Sequence, residues 1–468
     1  MTRPQLSLTL WDWETSWQDL PALGRLCDTF AGLGGTTLET TVPWHLTEPK
    51  PGRHDFSGIH RRMEIIRRSG LDARLRLNFQ DPPQWADVPP ARFENGEPFV
   101  KGYGLPPALM PSLFDSRTLT QWMAWASKAG EQLEQWRPTY SLGVGLHFEL
   151  KFGEWTGYES PAENPPSYEH CETIPSAPHV TAWVARRRQR LRQVVENLAS
   201  CVRATDPEAR FSAPLGEGFR SESAQFSNQD VYGLSRHADE IIYSHDFFLH
   251  GPDLEWQAET AVAVYTSGTG KPVHLEIDGT GTQVFQRYGV DALVDHARAA
   301  FQGGAIGLNL ANFAEGLDPE RRIQSLALIP RLADLELPEK HSRPVVHVFM
   351  LPDTFEVSRD RSEVARARAF GLFDAARRAG YAAQAVLDIE QLKALPAGNT
   401  LVIPTGTVVS SAAADVLRGR VDLAMWADEP LELTPRGMGP LTGLPLEGRL
   451  ADYSRFDRGR VPEPLVLN

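Results

Sequence analysis

Short apolar runs and stretches of helical spacing alternate along roughly the first 330 positions, and each change of period predicts an element. Residues 6–11, LSLTLW, predict a first strand. Over 19–30, Leu20, Leu23, Leu26 and Cys27 share one side of a helix that Gly34-Gly35 terminates. The β-branched run 36–42 predicts a second strand. Ser57 caps a helix to Arg68 with Ile59, Met63 and Ile66 in register. Asp72–Asn78 alternates as a third strand and Pro82-Pro83 stops it. A Pro- and Gly-rich excursion over 84–114 precedes a helix at 116–136. The stretch 141–155, SLGVGLHFELKFGEW, predicts strand four, apolar at first and abruptly polar at His147, Phe148 and Glu149. A long helix over 180–205 carries the run Ala185-Arg186-Arg187-Arg188, which reads as a solvated face. Strands at 210–214, 240–245, 271–276 and 305–310 follow, with helices at 229–236, 256–266 and 291–302 between them and one at 319–332 after them.

Eight strands alternating with helices predict a parallel sheet closed as a (β/α)₈ TIM barrel. A boundary is expected at 335–343, ELPEKHSRP. Beyond it, strands at 345–350, 383–387, Thr400–Ile403 and 421–426 alternate with helices at 362–379 and 412–418. That is the pattern of a smaller, flavodoxin-like, doubly wound α/β domain. The expected organisation is a catalytic-type barrel over 1–335 and the second domain over 343–468, its Pro-, Gly- and Leu-rich tail packed on that domain or on a partner. The first turn of the second unit, LPDTFEVSRD, lacks a glycine-rich phosphate loop, so no nucleotide or other cofactor is expected.

Composition removes several classes of partner. The net charge of -13 argues against a nucleic-acid surface. The absence of any apolar run of about 18 residues argues against a membrane partner. Cys27, Cys171 and Cys201 lie far apart, giving neither a disulfide framework nor a metal spacing. Together with an N-terminus that lacks a signal-type segment, they lead to an expected cytoplasmic location and no bound metal. Of the 12 tryptophans, all but Trp426 precede residue 257, and aromatic rings suit the C–H faces of sugars.

The chemistry that fits is glycosidic cleavage. It needs two carboxyl groups flanking one bond, one to protonate the leaving oxygen and one to attack the anomeric carbon or activate water. In a barrel such groups stand at the C-terminal ends of different strands. Glu149 closes the predicted strand four, and Glu276, in KPVHLEIDGTG, closes strand seven. Phe148, Phe152 and Trp155 around Glu149 would desolvate it and raise its pKa, as an acid requires. Arg76 and Asn78 at the end of strand three fit either a hydrogen bond to a sugar or a structural ion pair, and Asn309 and Asn312 near strand eight are candidate polar pocket groups. His147 and Trp155, on either side of Glu149, join them as candidate substrate contacts. Trp11, Trp13 and Glu14 follow strand one at the mouth, and the two rings read as wall packing. Glu154 is a second candidate acid, beyond the strand end.

Several segments carry a resemblance. VPWHLTEPKPGRHDFSGI (42–59) matches a W-x-x-x-EP-x-PG-x-x-dF stretch. DEIIYSHDFF (239–248), KPVHLE (271–276) and FQGGAIGLNLANF (301–313) match strand-six, strand-seven and strand-eight segments. The family that these resemble is glycoside hydrolase family 42, the β-galactosidases with a trimerisation domain, within the large retaining (β/α)₈ clan. The resemblance implies a carbohydrate substrate, Glu149 as acid/base, Glu276 as nucleophile, and Trp44 and Asp246 lining the sugar pocket. It implies further that the second domain assembles a homotrimer. The chain departs from the family at Phe148, where the clan has an Asn that binds the sugar 2-hydroxyl. The family's cysteine zinc cluster and small C-terminal β domain are not visible. GLHFELKFGEW also resembles the acid segment of β-amylases, which invert. Two other readings therefore stand beside the β-galactosidase-like one: an inverting α-glucan hydrolase, and a sugar-binding barrel whose chemistry has lapsed.

Overall fold

The computed structural model describes residues 3–91, 97, 98, 100, 109–144, 178–216, 230–244, 255–278, 282–311, 313, 327–338, 343–355, 359–427, 430–434 and 437–448. At its centre is a closed barrel of eight parallel strands in sequence order. The strands are β1 (Gln5–Leu10), β2 (Thr37–Pro43), β3 (Asp72–Asn78), β4 (Thr139–Gly143), β5 (Arg210–Leu215), β6 (Glu240–Ser244), β7 (Val273–Asp278) and β8 (Gly307–Ala311). Helices α1 (Leu20–Gly32), α2 (Ser57–Arg68), α3 (Ser116–Leu133), α4 (Pro178–Thr205), α5 (Val231–Ser235), α6 (Glu255–Thr269) and α7 (Thr282–Gln302) connect them in turn. The barrel expected from the sequence is present.

Strict alternation builds it. Leu6, Leu8 and Leu10 of β1, Leu75 and Leu77 of β3, Leu275 and Ile277 of β7, and Leu308 and Leu310 of β8 are buried in the cluster that takes in the helices. They meet stripes such as Ile59, Met63 and Ile66 of α2 and Trp122, Trp125, Ala129 and Leu133 of α3. The intervening residues face the lumen, and they are polar. Arg74 of β3 reaches Glu240 of β6 and Ser7 of β1, which only a side chain inside the barrel can do.

The lumen holds a charge network. Arg74 lies 2.7 Å from Glu240 Oε1 and 3.3 Å from Glu39 Oε2. Arg76 pairs with the other oxygen of Glu39. His274 Nε2 lies 3.4 Å from Glu240 Oε2. Burial works against the Glu240 carboxylate, yet His274 and the Arg74 guanidinium together hold its pKa well below the usual range. Burial pushes the His274 ring down toward the neutral form; Glu240 opposes that and Arg74 adds to it. Gly307 makes room for this ring, since a Cβ there would stand 2.7 Å from His274 Nδ1. Barrel lumens are usually filled by branched apolar residues, so charged layers are a departure. Each buried ion costs several kcal/mol of desolvation, which the pairing must offset.

The structure corrects some expectations. Strand four ends at Gly143, and Val144 beyond it is buried but not strand; Glu149 lies outside the described residues. Helix α7 begins before residue 291 and is broken at Gly289, whose φ of 72° no ordinary helical residue adopts. In the Ala185–Arg188 run Arg186 is exposed, but Arg187 is fully buried, so this is no uniformly solvated face.

Beyond the barrel, β9 (Val345–Phe349), α8 (Arg359–Arg378), β10 (Ala382–Val386), α9 (Ile389–Ala394), β11 (Thr400–Ile403), β12 (Val408–Ser410), α10 (Ser411–Gly419), β13 (Ala424–Ala427), β14 (Leu431–Thr434), β15 (Gly437–Pro440) and β16 (Leu446–Gly448) follow. A five-stranded parallel sheet runs β10-β9-β11-β13-β16, and a smaller one runs β12-β14-β15. The residues after 430, expected as a packed tail, thus supply one strand, β16, to the larger sheet and two, β14 and β15, to the smaller. This unit docks on α6. Leu387 packs against Gly268, where any Cβ would come within 2.5 Å of it. Ala385 N donates to Ser267 Oγ and Gln391 Nε2 to the Gly268 carbonyl. Arg377 reaches Glu259 at 2.9 Å. Val346, Val348, Phe370, Phe373 and Leu387 belong to the same apolar cluster as the barrel's outer face. Among the described residues no helix is long and apolar enough to cross a membrane.

Candidate active site

Glu276 stands near the C-terminal end of β7, half-buried, on the lumen face it shares with His274. It is level with Ser244 of β6 and Asn309 of β8 in the sheet register. Asn309 Nδ2 donates to Glu276 Oε2 at 2.7 Å. The same amide also contacts Thr9 Oγ1 at 3.1 Å, and its oxygen accepts from Ser7 Oγ at 2.7 Å. Ser7 in turn accepts from Arg74 Nη1 at 3.2 Å. A carboxylate at the barrel mouth is therefore gripped by a side chain that β1 holds from behind. Asn309 is fully buried, and both ends of its amide are occupied by protein. It orients Glu276 rather than offering itself to a ligand.

Neighbouring strand ends carry the other described groups. Arg76, read as a sugar contact or a structural ion pair, is the latter: it is 2% exposed, pairs with Glu39 and lies 5.0 Å beneath the Trp11 ring. Trp11 stacks on Trp13 with ring centres 5.2 Å apart. Trp13 is the exposed member of that stack at 52%, so only Trp11 matches the expected wall packing. Trp11 N donates to Glu14 Oε2 at 2.6 Å, which pins the turn after β1. Asn78 is buried; it donates to Asp81 Oδ2 at 3.1 Å and accepts from Gln80 N at 3.0 Å. It shapes the turn after β3. A cavity of about 650 Å³ beside that turn is lined by His45, Gln80, Asp81 and Met110 among others.

Trp44, expected to line the sugar pocket, has no exposed surface. Its Nε1 donates to Glu48 Oε2 at 2.9 Å. The other Glu48 oxygen accepts from Gly52 N at 2.8 Å, and the Glu48 carbonyl accepts from Trp85 Nε1 at 2.8 Å. Gly52 has a φ of 68°, a turn geometry that favours glycine. The W-x-x-x-EP-x-PG spacing is thus a folding instruction: tryptophan and glycine clasp one carboxylate and close the loop after β2. Trp44 also packs on Trp85 and Trp125, and Phe79 on Trp122 and Trp125, which ties this loop to β3 and α3.

Glu149, His147, Phe148, Glu154, Trp155, Asp246 and Asn312 lie outside the described residues. Among the described residues no three His, Cys, Asp or Glu side chains converge as metal ligands. Sequence reading missed Ser7, Thr9, Glu39, Glu240 and His274. A signal for the lumen charges was there: Arg74-Leu75-Arg76-Leu77 places two cations on one face of a buried strand, which demands acidic partners inside.

No family model matches the chain, and no curated protein matches it. Solved structures do. A glycoside hydrolase family 42 β-galactosidase from G. stearothermophilus superposes with a TM-score of 0.65 at 11% identity, over 91% of this chain and 71% of that one. An exo-β-1,4-mannosidase from Opitutaceae bacterium strain TAV5 gives 0.57 at 15% identity, over 94% and 79%. The catalytic domain of a β-amylase from Paenibacillus polymyxa gives 0.52 at 12% identity, over 72% and 100%. At these identities the likeness shows the barrel fold, a fold that hosts many chemistries.

Proposed function

We propose that this chain is a glycoside hydrolase that cleaves a β-glycosidic bond with retention, on a β-galactoside-like substrate, with Glu276 as nucleophile and Glu149 as acid/base. The observation that carries the reading is the Asn309–Glu276 hydrogen bond at the barrel mouth. An amide N–H on Oε2 fixes the orientation of the carboxylate that attacks the anomeric carbon. Glu149 protonates the departing glycosidic oxygen as the glycosyl–Glu276 ester forms. It then takes a proton from the water that hydrolyses the ester, restoring both groups. Likeness of fold to glycoside hydrolases and the segments quoted above support the assignment. Asp246, His147 and Trp155 complete the proposed sugar pocket, with Trp44, Arg76 and Asn78 acting behind it as supports.

The test is a screen of aryl α- and β-glycosides with the product anomer followed by NMR. Hydrolysis of a β-glycoside with retention is expected, and Glu276→Gln and Glu149→Gln should each abolish it while leaving the fold intact by circular dichroism. Full activity in both variants refutes the assignment. Release of an inverted product from an α-glucan would select the β-amylase-like alternative, which the GLHFELKFGEW segment favours. Sugar binding without turnover across the panel would select lapsed catalysis, which Phe148 favours.

The same proposal covers the organisation: a catalytic barrel over 1–335 and a flavodoxin-like domain over 343–468 that assembles a homotrimer. The sheet order β10-β9-β11-β13-β16 supports the flavodoxin-like description. A monomer by light scattering at micromolar concentration would remove the trimer. A cytoplasmic location is proposed on the scattered cysteines. Burial pushes the Cys27 thiol up to about 12, which keeps it unreactive. Cell fractionation checks it.

A further inference from the structure

The end of the barrel opposite Glu276 is hollow. A cavity of about 490 Å³ opens there. Its wall includes the first residues of six strands, Gln5, Thr37, Asp72, Thr139, Arg210 and Glu240, and its floor is the buried Arg74–Glu240 pair. We propose that this cavity is a second binding site, for a small multivalent oxyanion such as a phosphorylated or polycarboxylate compound. The proposal is independent of the reaction assigned above.

Charge is the first support. The lumen network is neutral as a set: Arg74 and Arg76 balance Glu39 and Glu240. The rim therefore sets the sign. Arg67, Arg137 and Arg210 line it, against Asp72 alone. All three arginines are exposed at the rim, and among the described residues none of them is in an ion pair. A concentration of positive charge on a chain of net charge -13 is a local arrangement, not a property of the whole surface. Guanidinium groups supply paired donors that match phosphate and carboxylate oxygens.

Backbone geometry is the second support. Arg137 has a φ of 47°, the one non-glycine positive φ among the described residues. A left-handed residue with a Cβ costs about 1 kcal/mol, and Gly or Asn would make the same turn at lower cost. The strained position puts an arginine at the rim. Arg67 is steadied over the Trp136 ring, 5.7 Å from its centre, and Trp136 donates to His60 Nδ1 at 2.8 Å. The cavity is of a size that holds small metabolites, since ligand pockets run from about 300 to 1,000 Å³.

Isothermal titration of the full chain at low ionic strength tests this, first with sodium pyrophosphate and then with citrate. Saturable one-to-one binding of at least one probe is expected, and comparing the two arms tells phosphate from carboxylate recognition. The double variant Arg137→Gly/Arg210→Gln is expected to weaken the affinity at least tenfold with an unchanged circular dichroism spectrum. Arg67→Gln, on a different element, is expected to weaken it as well. Failure of both probes to saturate would overturn the proposal, and so would an affinity equal to wild type in both variants.

Discussion

Glu48 accepts hydrogen bonds at both carboxylate oxygens and at its carbonyl. One carboxylate oxygen takes the Trp44 indole, the other takes the Gly52 amide, and its carbonyl takes Trp85. Hydrogen bonds to a charged group contribute about 1.5–3 kcal/mol each. Glu48→Ala removes two and leaves a buried indole N–H without its acceptor, so a loss of about 3 kcal/mol is expected in urea unfolding. Asn309 acts at the same scale in a different way. Asn309→Ala withdraws the donor from Glu276 Oε2 without touching a substrate. If Glu276 is the nucleophile, kcat on an aryl β-glycoside is expected to fall about 10- to 100-fold, the equivalent of one charged hydrogen bond, with little change in KM. A rise in KM at constant kcat would instead make Asn309 a substrate contact.

Within the strands, alternation decides what is stable at which pH. Unfolded, Glu240 titrates near pH 4.3 and His274 near pH 6.5. Both are lowered in the folded chain. On acidification the unfolded chain therefore binds protons first, and stability is lost as pH falls. The loss attributable to His274 begins below about pH 6.5, and that of Glu240 below about pH 4.3. His274→Asn is expected to flatten the urea midpoint between pH 6.5 and 5 while leaving the steeper acid loss in place. The strands themselves were legible because their outer faces are rows of leucine and isoleucine. The ends were not: strand four reads on past Gly143, since Val144 and Leu146 continue its apolar character and nothing in the sequence marks the stop. Nor were β12 and β14 to β16 legible. Each has four residues or fewer, and Pro and Gly dominate the surrounding tail. At the candidate site the sequence singled out Glu276, which the barrel carries to its mouth. It left Arg76 and Asn78 open between a sugar and a structural partner, and could not tell that Trp44 and Asn309 spend their polar groups on protein, because a residue near a strand end reads the same whether it faces a ligand or a neighbour.

At the scale of the whole molecule, the barrel and the sheet after it share one apolar cluster. Removing residues 343–468 would strip Val346, Phe373 and Leu387 from that cluster and bare the flank of α6. The truncated chain is expected to elute as aggregate in size-exclusion chromatography. Gly268→Val is a gentler probe. Its added bulk would meet Leu387, and a loss of about 1–3 kcal/mol is expected from overpacking. A fully soluble, cooperatively melting truncation would show that the seam is dispensable.

The charged lumen has a consequence for how the barrel closes. An apolar lumen tolerates a strand that slides by two residues, because side chains of the same kind return to the same face. Here the pairing Glu39 with Arg74 fixes the neighbours Thr37 with Asp72 and Thr41 with Arg76. A two-residue slide of β3 in one direction sets Asp72 beside Glu39, two like charges shut in a closed tube. The ion pairs then work against a slide in that direction. Protection of the native register from that slide is set against the desolvation of those charges.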